Sequence, residues 1–332
     1  MDKSLALNEP KVVNQNPNPK STMKKIKTVL ASQKGWLFLI PALLLMLVFT
    51  FYPIVNSLIS AFRNNYNGLS GKFDGWGFEN FKTVFTVAAD GANFLVCLEN
   101  TLIFAFISVP ISIVLALFIA VSLNSIKVLQ KAYQTIFFLP YLTNSLAMGA
   151  VFATFFTIVG TSSNVDTYGI INNIIMFFGA APINWIGDSI PWANRFVVIF
   201  YEIWSGLPFK ILILFSALQS VNKQYYDAAK VDGASRSTTL WKITVPLISP
   251  MLSYLLITGL MGGLKSYSAI LGIYGENMGP IRNEMNTMVG YIYACIDTGD
   301  TGKASAASLI LFGIIMVFTA INLYVSKKKV HY

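Results

Sequence analysis

The sequence predicts an all-α polytopic membrane protein with six transmembrane helices and both termini in the cytoplasm. Its composition, its long apolar runs and the placement of its basic residues support this fold class. The 332 residues are 55% hydrophobic and 12% charged, with a mean hydropathy of +0.59, whereas a soluble domain is about a quarter charged. The net charge of +9 does not indicate nucleic-acid binding, because the basic residues are dispersed among apolar runs.

Six runs are long enough to cross a bilayer, which takes about 20 mostly apolar residues. The predicted spans are residues 36–62, 97–123, 133–158, 195–218, 245–271 and 304–325. Five prolines lie in or beside these spans, where neighbouring helices can satisfy the freed carbonyl groups: Pro41, Pro53, Pro110, Pro140 and Pro208.

The basic residues set the orientation, because Lys and Arg are enriched in cytoplasmic segments. With the N-terminus inside, most of them fall on the cytoplasmic side, in the leader 1–34 and at Lys127, Lys131, Lys223, Lys230, Arg236, Lys242, Lys327, Lys328 and Lys329. Most acidic residues then fall outside, including Asp74, Glu79, Asp90, Glu99, Asp166, Asp188, Glu284, Asp297 and Asp300. The positive-inside rule is therefore met.

The outer loops are residues 63–96, 159–194 and 272–303. In the second, apolar residues at helical spacing predict a short helix in the outer interface: Ile170, Ile171, Ile174, Ile175 and Phe178. Trp185 and Trp192 suit the headgroup level.

The predicted organisation is a disordered cytoplasmic leader over 1–34, a transmembrane domain over 35–326 and a basic cytoplasmic tail over 327–332. The first apolar run is too long for the core of a cleavable signal peptide. Cys97 and Cys295 have no metal-ligand spacing. Two free thiols are favoured for them, and a disulfide stays open.

The chain carries no catalytic signature. Gly299-Asp-Thr-Gly-Lys303 lacks the four-residue spacer and the Ser or Thr of a phosphate-binding loop, and it is predicted to face outward. The single histidine, His331, lies at the C-terminus, which excludes Ser-His and Cys-His catalysis in the core. We therefore expect a non-catalytic protein with no cofactor or metal of its own.

The most informative polar stretch runs from Tyr225 to Pro246, within a predicted cytoplasmic loop over 220–245. Its residues predict two short helices around a turn, in which Gly233 ends the first helix and Ser235 caps the second. Ala228 and Ala229 would leave a low face that fits a groove on another protein.

This stretch resembles the cytoplasmic "EAA" loop of permease subunits of ATP-binding-cassette (ABC) importers. The matching positions hold Asp227, Ala228, Ala229, Gly233, Ile243, Val245 and Pro246, with Asp227 in place of Glu and Val245 in place of Leu. Other segments resemble the maltose- and glycerol-phosphate-type carbohydrate permeases in the same order: Gly77-Phe-Glu-Asn-Phe81, Glu99-Asn-Thr-Leu102, Phe137-Phe-Leu-Pro-Tyr141, Asn184-Trp185 and Gly302-Lys-Ala-Ser-Ala-Ala307.

The resemblance implies a type I ABC importer permease core in a bacterial cell membrane and a set of partners. These are a second, similar permease, two cytoplasmic ATP-binding subunits that hold ATP and Mg, and an extracytoplasmic solute-binding protein that delivers a carbohydrate. Membrane lipid surrounds the spans, and no nucleic acid is involved. The residues that would couple the chain to the ATPase are Tyr226, Asp227, Ala228, Ala229, Asp232, Gly233, Ala234, Ile243 and Pro246.

Charges within the spans are the remaining signal, because such groups usually face a cavity or a partner charge. Glu202 and Lys210 lie in the fourth span and Lys265 lies in the fifth. By resemblance, the substrate pathway would include Glu202, Ser205, Gly206, Phe209, Gly259, Gly263, Lys265 and Ser266. The alternative is that Glu202 and Lys265 form a structural ion pair and that the glycines only pack helices.

Three other functions are weighed against a carbohydrate permease. An ABC permease for an amino acid, phosphate or metal would share the same loop. A secondary transporter would need inverted repeats and buried acidic ion ligands, whereas the spans contain one acid, Glu202. A membrane enzyme is disfavoured by the lack of catalytic groups.

Overall fold

The computed structural model describes residues 36, 38–126, 128–160, 166–187, 191–275 and 284–329. The predicted leader, Lys127, Asp188, residues 330–332 and the side chains of the basic residues 327–329 lie outside this description. The chain divides into two units, Met1–Ser57 and Leu58–Tyr332.

The N-terminal unit contains most of helix α1 (Phe38–Ala61), which matches the first predicted span. Residues Leu47–Phe51 within it form a π-helical turn. Pro53 lies two residues after this turn and lacks the amide hydrogen that an α-helix would use at that position, and a wider turn accommodates its ring.

The described part of the second unit is mostly helical. Its first helices are α2 (Glu79–Thr86), α3 (Phe94–Ser125), α4 (Gln130–Phe138), α5 (Ser145–Phe156), α6 (Ile170–Phe177) and α7 (Pro191–Ser220). The later helices are α8 (Lys223–Val231), α9 (Arg236–Thr239), α10 (Val245–Leu247), α11 (Ser249–Gly263), α12 (Ser268–Tyr274), α13 (Met288–Asp297) and α14 (Thr301–Lys329).

Two small antiparallel hairpins lie between these helices. Strand β1 (Arg63–Asn64) pairs with β2 (Gly75–Trp76), and β3 (Ile158–Gly160) pairs with β4 (Asp166–Tyr168). A 3-10 turn, Leu139–Leu142, follows α4, and a second π-helical turn, Leu240–Thr244, follows α9.

Four single helices of the described chain are long and apolar enough to cross a membrane, and two bent pairs raise the number to six. Three of the four are α1, α3 and α7, and the fourth is Thr301–Ser326 within α14. The prediction of continuous third and fifth spans was wrong. The third is Gln130–Leu142 followed by Ser145–Phe156 at an angle of 99°, and the fifth region is Arg236–Leu247 followed by Ser249–Gly263 at 69°.

Local chemistry explains both bends. After Pro140, the side chain of Asn144 accepts hydrogen bonds from the amides of Leu146 (2.9 Å) and Ala147 (3.3 Å) and starts a new helix. In the fifth region Pro250 has no amide hydrogen to offer the preceding turn, and α11 begins there with the proline in its first turn.

The core of the second unit consists of three buried apolar clusters. One lies between α3, α7 and α11, and a second joins α3, α5, α7 and α12. The third joins the N-terminal end of α3 with α2, α13 and α14. Helix α3 belongs to all three clusters and packs most extensively against α7, and it therefore forms the centre of this unit.

Buried polar groups connect the segment after α1 with α2 and with the start of α14. The amide of Asn80 donates to the carbonyls of Ala61 (2.9 Å) and Arg63 (2.7 Å), and the backbone amide of Gly302 donates to Tyr66 (2.9 Å). Two of the segments that carry the family resemblance, 77–81 and 302–307, therefore both contact the segment that follows α1.

Two further predictions, a short helix over the isoleucine-rich segment and two free thiols, agree with the structure. The isoleucine-rich segment forms α6, with Ile170 and Ile174 exposed on one side. Cys97 and Cys295 are buried free thiols in the same apolar cluster.

Gly149 provides a test of this packing. A Cβ atom at Gly149 would lie 2.9 Å from the Cα atom of Gly272, where α5 meets α12 backbone to backbone. We expect Gly149→Val to destabilise the protein by about 1–3 kcal/mol, because backbone cannot move aside as a side chain can. The measurement is the thermal stability and monodisperse yield of the detergent-extracted protein.

Gly313→Val is the matched control, since no atom lies within 4 Å of a Cβ atom built at Gly313. Equal yields and melting temperatures for the two variants would contradict close packing of α5 on α12.

Candidate functional site

The segment that carries the loop motif is built around helix α8. The side chain of Asn222 starts this helix by accepting a hydrogen bond from the amide of Gln224 at 3.0 Å. Gly233 ends it with a φ of +70°, where glycine is favoured over residues with a Cβ atom. The amide of Ala234 donates to the carbonyl of Ala229 (2.9 Å), and the amide of Gly233 donates to the carbonyl of Lys230 (3.1 Å). This pair of hydrogen bonds is a Schellman C-cap. The predicted helix end is confirmed.

A second short helix follows at once, as predicted. The hydroxyl of Ser235 accepts a hydrogen bond from the amide of Thr238 at 3.1 Å and caps α9. The π-helical turn then leads to Pro246, and the hydroxyl of Thr244 donates to Tyr226 at 3.4 Å. The two helices and the turn therefore form one connected unit, which we call the coupling segment (residues 220–246).

The predicted coupling residues differ in exposure: five are exposed, three are half-buried and one, Ala229, is buried. Those exposed are Asp227, Ala228, Asp232, Gly233 and Pro246, and those half-buried are Tyr226, Ala234 and Ile243.

Ala229 is only 5% exposed and faces the interior of this chain. The interpretation of Ala228 and Ala229 as one partner-facing surface was wrong, because adjacent residues point about 100° apart around a helix.

Sequence reasoning missed a cavity of about 540 Å³ behind the coupling segment. The ends of α3 and α7 line it through Val121, Asn124 and Leu218, and the coupling segment contributes Tyr226 and Arg236. The cavity thus separates part of the coupling segment from the ends of α3 and α7.

A second cavity, of about 220 Å³ and with a polar lining, lies between α7, the start of α5 and the segment that joins α11 to α12. Helix α7 contributes Tyr201, Glu202 and Ser205, and α5 contributes Ser145. Gly262 and residues 265–269, at the non-helical break between α11 and α12, complete the lining. We call this the polar cavity.

The charges around the polar cavity are arranged differently from the predicted pair. Glu202 accepts a hydrogen bond from the hydroxyl of Ser266. The ammonium of Lys210, a residue only 8% exposed, donates to Ser112 at 2.6 Å. Glu202 and Lys210 attract each other electrostatically. Within the described residues no ion pair joins Glu202 to Lys265, and the structural pair considered above is not formed.

The predicted pathway residues separate into two groups. Glu202, Ser205, Lys265 and Ser266 line the polar cavity. The others pack around it: a Cβ atom at Gly206 would lie 2.6 Å from the Lys210 ammonium, and one at Gly259 would lie 2.8 Å from Val109.

Gly263 and Phe209 also have packing contacts. A Cβ atom at Gly263 would lie 3.1 Å from the Cα atom of Ala105, and the ring of Phe209 stacks on Tyr141 with centroids 5.8 Å apart.

Lys210 is the residue that sequence reasoning noticed and then left out of the site. Its position eight residues after Glu202 in the same span was the available signal, because opposite charges in one membrane helix often compensate each other. Among the described residues no group of three His, Cys, Asp or Glu side chains is placed to hold a metal ion.

The charge arrangement can be tested with two single variants and their combination. We expect Glu202→Gln and Lys210→Met each to lower the thermal stability of the folded protein by about 1–3 kcal/mol, because each leaves one buried charge uncompensated. The double variant should recover most of this loss. The measurement is the melting temperature in detergent.

Lys82→Met is the control, because the exposed Lys82–Glu79 pair at 3.9 Å should contribute little. A double variant whose loss equals the sum of the two single losses would show that Glu202 and Lys210 do not compensate each other.

Known proteins are similar to this chain in sequence and in fold. The chain is 30% identical over 285 residues to a probable ABC transporter permease protein of Mycoplasma genitalium, covering 84% of this chain and 81% of the relative. It is 30% identical to the multiple sugar-binding transport system permease protein MsmF of Streptococcus mutans (91% and 98% covered). It is 27% identical to the lactose transport system permease protein LacF of Rhizobium radiobacter (89% and 94% covered).

A solved structure supports the fold. A chain of the bacterial alginate ABC transporter, in complex with an alginate pentasaccharide-bound periplasmic protein, superposes with a TM-score of 0.76 at 22% identity, covering 91% of this chain and 96% of that one. The family model described as "binding-protein-dependent transport system inner membrane component" matches residues 108–331. This multi-pass membrane protein therefore belongs to the family of binding-protein-dependent transport system inner membrane components, the permease subunits of ABC transporters.

Proposed function

We propose that this chain is a permease subunit of an ATP-driven importer that takes up a carbohydrate delivered by an extracytoplasmic binding protein. The observation that carries the proposal is the coupling segment, which keeps the motif spacing and presents an exposed helix, α8, ended by Gly233. The names of relatives that transport lactose, arabinooligosaccharides and trehalose or maltose favour a sugar as the substrate.

The proposed complex contains a second, similar permease and two cytoplasmic ATP-binding subunits. ATP and Mg would bind to those subunits, and this chain would be non-catalytic. The polar cavity, lined by Glu202, Ser205, Lys265 and Ser266, would form part of the substrate pathway together with the second permease.

In this mechanism the exposed side of α8 docks in a cleft of an ATP-binding subunit. Closure of the two ATP-binding subunits around ATP would move that cleft and, with it, the coupling segment. ATP and the loaded binding protein would each have to bind one conformation of the permease pair more tightly than the other, because a ligand shifts an equilibrium only by its differential affinity.

The exposed side of α8 is tested by Ala228→Asp. Ala228 is exposed, and the change should leave the amount of folded permease unchanged. The new carboxylate should lower ATP-driven uptake by about tenfold or more, because it would be desolvated without a partner on docking. Uptake per folded transporter in vesicles is the measurement.

Two further variants delimit this test. Ala229→Asp should instead lower the amount of folded protein, because Ala229 is buried within this chain. Ser237→Asp, an exposed change on α9, serves as the surface control. Normal uptake by Ala228→Asp would exclude this side of α8 as the docking surface.

The source of the energy is tested by purification. The chain alone should hydrolyse no ATP, whereas co-expression with a second permease and an ATPase should give a complex with two permeases and two ATPase copies. The measurements are the ATPase activity and the mass of the purified chain alone and of the co-expressed complex. Substrate uptake by vesicles that contain this chain alone, driven by an ion gradient, would replace the proposal with a secondary transporter.

A further inference from the structure

The charges that line and surround the polar cavity do not balance. Its acid, Glu202, accepts a hydrogen bond from Ser266 and is attracted by Lys210 on the same helix. Lys210 is in turn fixed by its 2.6 Å hydrogen bond to Ser112. Helix α7 therefore carries one acid and one base that attract each other, although no ion pair within 4.0 Å joins them among the described residues.

Lys265 adds a second positive charge. It lies in the break between α11 and α12, where its backbone amide donates to the carbonyl of Gly262 at 3.0 Å. Its side chain is exposed and lines the polar cavity. The ion pairs of the described chain are Lys82–Glu79, Arg195–Glu99, Lys230–Asp227 and Lys303–Asp300, and Lys265 belongs to none of them.

An ammonium group in a largely apolar protein needs a counter-charge or water. A neutral sugar offers only hydroxyl groups, which accept a hydrogen bond from the ammonium but bring no counter-charge. A carboxylate or phosphate accepts the hydrogen bond and also neutralises the charge. The hydroxyls of Ser205 and Ser268 line the same cavity and suit the remaining sugar hydroxyls. The cavity thus combines one uncompensated cation with neutral hydrogen-bonding groups.

We propose that the imported carbohydrate carries an anionic group, a carboxylate or a phosphate, and that Lys265 binds this group in the polar cavity. The inference rests on the proposed function of sugar import and specifies the charge of the sugar. Lys265 then determines specificity, and Glu202 positions Ser266.

The experiment measures uptake by cells that contain the complete transporter with its binding protein. The labelled probes are trigalacturonate for a carboxylate, trehalose 6-phosphate for a phosphate, and maltotriose and raffinose as neutral sugars. Each is tested with wild type, Lys265→Met, Lys265→Arg and Lys72→Met. Lys72 lies on the first outer loop and is absent from the cavity lining.

We expect uptake of at least one anionic probe and of neither neutral probe above background. Lys265→Met should lower that uptake by about tenfold or more at an equal amount of complex, because a charge-assisted contact is lost. Uptake by Lys265→Arg should stay close to that of wild type, and uptake by Lys72→Met should equal that of wild type. Whether trigalacturonate or trehalose 6-phosphate is taken up decides between the two anionic groups.

The other outcomes overturn the proposal in distinguishable ways. Uptake of neutral probes alone, or wild-type uptake of an anionic probe by Lys265→Met, would refute the role of Lys265 while leaving sugar import intact. A reduced amount of complex with unchanged uptake per complex would assign Lys265 to subunit contact. Uptake of none of the four probes would count against sugar import as well.

Discussion

Inside a bilayer no water is available to the backbone, so every amide and carbonyl group must find a partner within the protein. This constraint explains where the spans of this chain are interrupted. At the third span the side chain of Asn144 takes over the free amides after the bend. In the fifth region the amide of Lys265 bonds Gly262 and the hydroxyl of Thr287 bonds the carbonyl of Ser266 at 2.7 Å. The irregular backbone between α11 and α12 lines the polar cavity. Non-helical backbone is tolerated at membrane depth where it lines a cavity.

The same constraint gives a physical meaning to the short segments through which the sequence resembles carbohydrate permeases. Asn100 donates to the carbonyls of Glu284 (2.6 Å) and Asn286 (3.1 Å), and the indole of Trp185 donates to Asn172 at 3.1 Å. Asn80 does the same for the chain that leaves the first span. These side chains satisfy backbone or buried polar groups of other segments, 13 to 186 residues away in the sequence, and they therefore fix how these helix ends and loops meet.

Sequence reasoning succeeded where the determining forces are local. Hydropathy located the four long apolar helices and the two bent pairs of the described chain, and the chemistry of Gly233 and Ser235 located the end of α8 and the start of α9. It failed where packing decides. Nothing local distinguishes Ala228 from Ala229, yet only one is buried. Likewise the partner of Glu202 could not be chosen between Lys210 and Lys265, because the choice depends on how α7 and the break after α11 meet.

Helix α11 connects the two candidate sites. It starts just after the coupling segment and ends at the break that carries Lys265 and Ser266, so its 15 residues span about 22 Å. Gly259 and Gly263 let it approach α3 closely, which limits sideways movement. A displacement of the coupling segment must then either be absorbed at the bend where α11 begins or shift α11 along its axis. In the second case Ser266 moves relative to Glu202 on α7, and the polar cavity changes shape with the coupling segment.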